Sequence, residues 1–516
     1  MVTATGLFAQ RTGRRWLGID RRHSYWYLVA LLGAYLAAII ATNLYLMYPS
    51  DGDFQFVGWM AQHQTPSRLE SYANTVYPPG FPFLLAHLVP YFKTILHAVF
   101  FVQAVAMTTA MWAVFAISQS LFGSFRYATL SMLLAMILSI PVATSEFADG
   151  TTTALVLLGL WLLVRDEYSM PSVFMSGVLC GIAYVFRFHY VVFLGIVPIA
   201  LVLTSRLQKR LLFATLGAYI IGFLGGASPM LVINSIVHAN PFWSGDARYM
   251  PGMWALGLDW NNYPNTYNLW PIKKLLFERP QALLLQMARN TWRLLQFYQF
   301  WLGIPLIFML LRKSSGALAD RLRFVVIAAV TYVFVTVVPT RITDRGLLPV
   351  TALLSILIVP AIALIANSLD DKLLRIAFLS SICGLVLFQP PHVPRWKTSA
   401  LATNRQILQA LEAAGMSQSS QVFCNDWWLY NLDDAYLTPF YNYGAYMLLD
   451  SEYERQRPLP TAKTGQEWVS FFANRGIRYI VIGRGTDLDY LAEHEHGNSW
   501  KILTETGAYR VFQIEK

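Results

Sequence analysis

Eleven predominantly apolar runs divide the chain, and the segments between them collect most of the charged residues. The runs fall at 25–48, 95–118, 127–142, 151–164, 171–186, 190–204, 211–236, 297–311, 324–338, 346–366 and 373–389. A helix of roughly 20 apolar residues crosses the hydrocarbon core of a bilayer, and several of these runs are shorter, at about 14–16 residues. The pattern predicts a polytopic α-helical membrane protein of about 11 spans.

The distribution of basic residues predicts which side each connection occupies. Arginines are frequent in the tail 1–24, and a basic cluster, Arg206-Leu207-Gln208-Lys209-Arg210, falls between two later runs. Because Lys and Arg accumulate on the cytoplasmic side, the N-terminus is expected to be cytoplasmic. An odd number of spans then places the C-terminus on the exterior side, and we expect the membrane to be the plasma (inner) membrane.

After Pro390-Pro391 the composition changes to that of a soluble α/β domain, 390–516, which we expect on the exterior side. Residues 400–414 are expected to form a helix that ends at Gly415, and 464–473 and 486–494 to form two more. The expected strands are 421–424, 479–482, 500–504 and 509–514. The chain therefore divides into a cytoplasmic tail (1–24), a transmembrane domain (25–389) and this exterior domain.

Composition supports the membrane assignment and excludes other classes. The chain of 516 residues is 55% hydrophobic and 13% charged, whereas soluble domains carry about 25% charged residues. The net charge of +10 comes from basic residues between apolar runs, as membrane topology predicts, so nucleic-acid binding is not expected. Three scattered cysteines do not form a disulfide framework or a thiolate metal site.

The expected exterior segments are 49–92, 144–150, 187–189, 238–296 and 339–345. The first begins with Asp51-Gly52-Asp53 directly after the first span. The glycine permits a turn in which both carboxylates point at one ligand, so the pair can supply a general base or bind a divalent cation such as Mg²⁺ or Mn²⁺. The alternative is an Asp-rich turn that caps a helix at 54–61.

The other exterior segments add acids and bases. Glu146 and Asp149 lie in the second, and Arg187, Arg341 and Arg345 lie in the third and fifth. Arginine binds phosphate well because its planar fork donates two parallel hydrogen bonds. For Arg341 and Arg345 the alternative is contact with lipid headgroups or an ion pair with Asp344. For His189 a structural or interfacial role is favoured over catalysis.

The fourth exterior segment is rich in Trp and Tyr, which can stack on sugars but are also the usual residues of the membrane interface. We favour the interfacial interpretation. From 279 to 297 the apolar residues recur at helical spacing together with Arg289 and Arg293. A helix that lies on the bilayer surface is therefore expected there.

The order of these motifs resembles the C-type membrane glycosyltransferases, and most closely the bacterial aminoarabinose transferases and the protein O-mannosyltransferases. The resemblance rests on the acidic motif after the first span, Tyr77-Pro78-Pro79-Gly80-Phe81-Pro82, the acid between spans three and four, and the arginine-containing loop before Leu347-Leu348-Pro349. It covers about residues 25–366 and implies a polyprenyl-phosphate sugar as the donor.

The resemblance also implies roles for particular residues. Asp53 corresponds to the base, Asp51 to a supporting acid, and Asp149 to the second-loop acid, with Glu146 a poorer match. Arg187 takes the place of a lysine that many relatives have, and the segment from Arg345 to Pro349 matches the loop that handles the lipid phosphate. Arg341 is a further candidate for phosphate, and Tyr77 and His189 are weaker candidates for substrate binding.

The expected activity is transfer of a sugar from the lipid donor to a hydroxyl of a glycan, lipid or protein acceptor on the exterior side. A transporter or flippase of lipids or lipid-linked sugars is the alternative. Its ionisable residues typically lie near the middle of spans, whereas here the charges gather at the outer ends. A non-enzymatic scaffold that displays the C-terminal domain would leave the first exterior segment unexplained.

Overall fold

The computed structural model describes most of the membrane region and parts of the C-terminal region. The described residues are 21–46, 78–92, 95–143, 148–165, 169–205, 207–243, 255–256, 272–296, 303–337, 344–369, 371–387, 398–416, 421–424, 440–442, 470, 472, 476–484, 500–506 and 509–514.

In the described part of the chain each of the eleven apolar runs falls on a helix, because a continuous apolar segment satisfies its backbone hydrogen bonds internally in that conformation. The helices are α1 (Arg21–Leu46), α2 (Gly80–Leu88), α3 (Ile95–Phe122), α4 (Phe125–Ala143), α5 (Asp149–Arg165), α6 (Met170–Phe186), α7 (Phe193–Thr204), α8 (Lys209–His238), α9 (Ile272–Glu278), α10 (Pro280–Gln296), α11 (Gly303–Lys313), α12 (Gly316–Tyr332), α13 (Asp344–Ser368), α14 (Lys372–Leu387) and α15 (Thr398–Ala413). Two short 3-10 helices, Val89–Tyr91 and Phe188–Val192, and a π-helical turn, Val333–Val337, complete the set.

Four of these helices, α1, α3, α8 and α13, are long and apolar enough to cross a membrane, counted over the residues that the structure describes. Shorter apolar helices accompany them, among them α4, α6, α7 and α11. The protein is therefore an integral membrane protein. The count of eleven spans stays a prediction, because several helices are shorter than a bilayer crossing requires.

Helices α6 and α8 pack most closely of all. Glycines at 177 and 181 on α6 face the α8 backbone, and glycines at 222 and 226 on α8 face the α6 backbone. At each position an added Cβ would collide with a backbone carbonyl oxygen of the other helix. Small residues four apart on both helices thus allow the two backbones to touch, a common arrangement in membrane proteins.

The end of α8 is held by a buried amide. Asn234 is 0% exposed, and its Nδ2 donates hydrogen bonds to the carbonyl oxygens of Pro241 at 3.1 Å and Trp243 at 3.0 Å. Ala239, which ends the helix, has a left-handed backbone with φ of 52°. The chain is thereby turned back on the helix where the fourth segment expected on the exterior side begins.

The C-terminal region forms a five-stranded sheet, consistent with the predicted α/β domain. Its strands are β1 (Gln421–Cys424), β2 (Phe440–Asn442), β3 (Ile477–Gly483), β4 (Trp500–Glu505) and β5 (Tyr509–Ile514). The order is β2-β1-β3-β5-β4, with β1 parallel to β2 and β3, and β5 antiparallel to β3 and β4. Helix α15 packs its Ile407 and Leu411 against Val422, Val481 and Val511 of the sheet.

Most of the predicted elements of this region are present. Helix α15 precedes Gly415, whose φ of +88° suits only glycine well, and four predicted strands match β1, β3, β4 and β5. Strand β2 was not predicted. The expected helices at 54–61 and 486–494 lie outside the described residues, and within 464–473 only residues 470 and 472 are described, both helical.

By its internal contacts the chain divides into two compact units. The first comprises Met1–Tyr45, Phe100–Gly257 and Trp270–Pro394, and the second Leu46–Val99, Leu258–Leu269 and Arg395–Lys516. The first unit holds one large hydrophobic core, which α1, α3 to α8 and α10 to α13 share. The second-loop acid, Arg187, His189 and Arg345 all belong to this first unit.

Candidate active site

Asp149 is the first residue of α5 and is almost completely buried, with 3% of its surface exposed. A negative side chain is favoured at this position because the helix N-terminus carries a partial positive charge. The Thr152 hydroxyl donates to the carbonyl oxygens of Ala148 at 3.1 Å and Asp149 at 3.0 Å, which fixes the first turn. The carboxylate is therefore fixed in position at the start of the apolar helix.

A buried glutamine supports the same turn from α3. Gln103 is 0% exposed, and its Nε2 donates to the carbonyl oxygen of Val142, near the end of α4, at 2.8 Å. Its carboxamide also lies against Gly150, where an added Cβ would come within 2.5 Å of the Gln103 Oε1. One side chain thus contacts both ends of the short connection that precedes Asp149.

Arg187 reaches Asp149 from the end of α6. The residue has an extended backbone, with φ of −151° and ψ of 120°, and it separates α6 from the 3-10 helix Phe188–Val192. Its Nη2 donates to the Asp149 Oδ2 at 2.9 Å, and the two side chains are only 14% and 4% exposed. Since water is largely excluded, the electrostatic attraction between the two side chains is stronger than in an ion pair on the surface.

Arg345 and His189 complete the cluster, which we call the outer-end cluster: Asp149, Arg187, His189 and Arg345. Burial alone would raise the Asp149 pKa, but the charges of Arg187 and Arg345 outweigh burial and lower it. His189 is partly exposed. The loss of solvation of its ring and then the charge of Arg187 lower its pKa to about 4. At neutral pH the histidine is thus uncharged, and the outer-end cluster combines two guanidinium groups with one carboxylate.

Two guanidinium groups beside one carboxylate suit an anionic ligand. Both arginines lie at helix ends outside the apolar runs, Arg187 after α6 and Arg345 at the second residue of α13. Guanidinium groups bind phosphate through paired, charge-assisted hydrogen bonds. The cluster therefore has the chemistry of a phosphate-binding site in which one carboxylate orients one of the arginines.

A group of buried hydroxyls behind Asp149 was not predicted from the sequence. Tyr190 is 0% exposed and Tyr332 is 1% exposed, and their rings lie 6.1 Å apart between centroids. The hydroxyls of Thr152 and Thr153 lie next to the Tyr190 hydroxyl, and the Asp149 charge acts on both tyrosines. Neither tyrosine hydroxyl forms a hydrogen bond of good geometry within the described part of the chain. The run Thr151-Thr152-Thr153 after an acid is the signal that could have indicated this polar interior.

The structure places the sequence-predicted residues unequally. It brings Asp149, Arg187, His189 and Arg345 together. The proposed base and its neighbour, and the other candidates, lie outside the described residues; they are Asp51, Asp53, Tyr77, Glu146 and Arg341. No group of three or more His, Cys, Asp and Glu side chains suited to a metal occurs in the described ranges. The expected cation site, on Asp51 and Asp53, falls outside those ranges.

Known structures share this fold. The chain is similar to ArnT, an aminoarabinose transferase from Cupriavidus metallidurans, in its apo state: the TM-score is 0.60 at 13% identity, over 95% of this chain and 98% of ArnT. The same protein bound to undecaprenyl phosphate gives a TM-score of 0.57 at 14% identity, over 94% of this chain and 97% of that one.

A more distant similarity is to the oligosaccharyltransferase AglB from Archaeoglobus fulgidus in complex with an inhibitory peptide and a dolichol-phosphate. The TM-score is 0.51 at 11% identity, over 89% of this chain and 70% of AglB. No family model and no curated protein sequence matches the chain. The chain thus has the fold of the C-type membrane glycosyltransferases, and the resemblance predicted from its motifs is confirmed at the level of the fold.

Proposed function

We propose that the protein is a membrane glycosyltransferase that moves a sugar from a polyprenyl-phosphate donor to an acceptor hydroxyl on the exterior side of the membrane. The observation that carries the proposal is the outer-end cluster, in which a buried carboxylate pairs with Arg187 and is close enough to Arg345 for its charge to act on it. The fold adds support, because ArnT and AglB structures contain undecaprenyl phosphate and dolichol-phosphate respectively.

Within this proposal the arginines hold the donor phosphate. Arg187 uses its Nη2 for Asp149, so the carboxylate holds this guanidinium in one orientation. Arg345 contributes a second guanidinium group, which stabilises the charge of the leaving phosphate. Asp149 acts as a positioning residue rather than as a base, because its lowered pKa makes it a weak proton acceptor at neutral pH.

The proton acceptor in the proposal is Asp53, with Asp51 in support, because Asp53 follows the first span in the position that corresponds to the base of the C-type membrane glycosyltransferases. The acceptor hydroxyl oxygen attacks the anomeric carbon as Asp53 takes its proton. The bond between that carbon and the phosphate oxygen breaks, and the lipid phosphate leaves with its charge stabilised by the arginines. This route inverts the configuration of the sugar. A divalent cation on Asp51 and Asp53 would supply further stabilisation of phosphate charge.

The experiment that tests the proposal removes Arg345. In purified protein supplied with a polyprenyl-phosphate sugar, Arg345→Ala loses hydrogen bonds to a charged group, worth about 1.5–3 kcal/mol. We expect the apparent donor affinity to fall roughly 10- to 100-fold, with activity recovered at high donor concentration. Arg345→Lys should restore part of the affinity, since an ammonium keeps the charge but loses the two-pronged geometry.

Arg345 is a better probe than Arg187, because removing Arg187 would leave the buried Asp149 charge without its ion-pair partner. Arg323→Ala is a matched control, since this arginine of α12 is 55% exposed and pairs with Asp320. Its donor affinity should stay at the wild-type value. Movement of intact donor across vesicles without cleavage of the sugar–phosphate bond would instead identify a flippase. Unchanged donor affinity in the variants of Arg187, Arg341 and Arg345 would contradict the proposed phosphate-binding site.

A further inference from the structure

Helix α10 carries large apolar side chains on its exposed face. Leu284, Leu285 and Trp292 point outward and are 63%, 52% and 68% exposed. The buried face is mixed, with Leu283 and Leu294 beside the polar Gln286 and Asn290. A surface helix of a water-soluble protein turns its apolar residues to the core and keeps charged and polar residues on the opposite face.

The exposed apolar area extends beyond this helix. Helix α9, which ends two residues before α10 and packs on it, exposes Leu276 at 54% and Phe277 at 74%. Isolated exposed apolar residues are common on protein surfaces, but several large ones on adjoining helices indicate an interaction surface. The surface therefore needs an apolar partner.

Charge identifies the kind of partner. Arg289 and Arg293 are both exposed, and their spacing of four puts them on one side of α10, in line with Leu285. The helix contains no Asp or Glu, and a further exposed arginine, Arg279, directly precedes it. Arginines beside Leu and Trp on one helix face are typical of helices that lie in the headgroup region of a membrane. Negative lipid headgroups attract such basic residues.

We propose that the exposed face of α10 binds anionic phospholipid headgroups. Arg289 and Arg293 contact the headgroup phosphates, and Leu284, Leu285 and Trp292 enter the boundary between headgroups and acyl chains. The surface lies on a protein that already crosses the bilayer, so lipid is always at hand to occupy it. The proposal does not depend on the glycosyltransferase activity, and a chain without transferase activity would bind lipid in the same way.

The first measurement concerns anionic selectivity. Full-length protein is reconstituted in nanodiscs of phosphatidylcholine and phosphatidylglycerol, and the lipids it retains are identified by native mass spectrometry. The double variant Arg289→Gln, Arg293→Gln should retain less phosphatidylglycerol, with affinity at this site reduced by about 10- to 30-fold for two charges near the surface. Arg478→Gln is the matched control, because it removes an exposed arginine from β3 of the C-terminal sheet. It should retain phosphatidylglycerol as the wild type does.

The second measurement concerns immersion. A nitroxide label at Trp292→Cys, after replacement of the three native cysteines by alanine, should collide with oxygen more often than with a water-soluble nickel complex. A label at Lys501→Cys, an exposed residue of β4, should show the reverse. The first measurement needs no cysteine replacement and so stands if that background folds poorly.

Each outcome decides the matter. Loss of phosphatidylglycerol in the double variant, together with a label sheltered from nickel, supports the proposal. A sheltered label with unchanged phosphatidylglycerol retention would mean an apolar contact that does not select headgroups, and would overturn it. A label at position 292 that is open to the nickel complex would place the face in water or against another protein, and would overturn it as well.

Discussion

At the scale of single residues, His189 is the group whose charge the fold controls most clearly. The protein surrounding the ring and the charge of Arg187 lower its pKa to about 4, while Asp149 acts in the opposite direction. An ordinary histidine titrates near pH 6.5. Because the folded-state pKa is depressed, the stabilisation is complete above about pH 6.5 and is lost as the pH falls toward 4.

We therefore expect acidification across this window to lower the apparent melting temperature of the detergent-solubilised protein. The His189→Gln variant has no imidazole to protonate, so its melting temperature should fall less over the same pH range. Intrinsic fluorescence follows the unfolding. His87→Gln is the control, because His87 on α2 is exposed, and it should follow the wild-type curve. Asp149, whose pKa is also lowered, contributes stability that is lost only below about pH 3.9. Equal slopes for His189→Gln and wild type would show that the ring is not held neutral.

The sequence predicted the members of the outer-end cluster but not how they pair. Asp149, Arg187 and Arg345 were identifiable because each lies in a short segment between two apolar runs that is expected on the exterior side. That Asp149 binds Arg187 follows from the packing of α5 on α6, which no local pattern encodes. Tyr190 and Tyr332 were not predicted, because tyrosines near the ends of membrane helices are common at the membrane interface whether or not a functional site is present.

At the scale of elements, the backbone contact between α6 and α8 is the most restrictive feature. A Cβ on Gly226 would meet the carbonyl oxygen of Val178, which belongs to the helix backbone and has no room to move. By contrast, a Cβ on the adjacent Gly225 would meet nothing within 4 Å. Two neighbouring glycines of one helix therefore differ sharply in what they tolerate.

Gly226→Ala is expected to destabilise the protein by about 1–3 kcal/mol or more, since the helices must separate to admit the methyl group. Gly225→Ala should be neutral or slightly stabilising, because alanine favours a helix by up to about 1 kcal/mol relative to glycine. Thermal unfolding of both variants in the same detergent measures the difference. Equal melting temperatures for the two would show that α6 and α8 are farther apart than described.

Elements were predictable where periodicity or length is a strong signal. All eleven apolar runs became helices, and α10 appeared where apolar residues recur at helical spacing. Strand β2, with only Phe440, Tyr441 and Asn442, is too short to leave a pattern, and it exists because β1 offers a parallel edge. Tertiary pairing, not local propensity, decided that element.

At the scale of the whole molecule, sidedness remains the prediction on which the proposed chemistry depends. A reporter inserted between Gln208 and Lys209 should be cytoplasmic, because the surrounding segment is basic. A reporter fused after Lys516 should be exterior if the number of spans is odd. Paired fusions of alkaline phosphatase and a fluorescent protein at each site measure this. If both reporters lie on one side, the number of spans between them is even, which contradicts the predicted set of eleven. One of the short helices would then not cross the membrane.

The contact between α6 and α8 has a mechanical consequence for the site. Since their backbones touch at four glycines, we expect these two helices to move as one rigid body. Arg187 lies at the end of α6 and so at one end of this pair. A displacement of the end of α6 that carries the backbone of Arg187 away from Asp149 would therefore move α8 as well. The position of this one guanidinium group is thus mechanically coupled to two helices rather than to one.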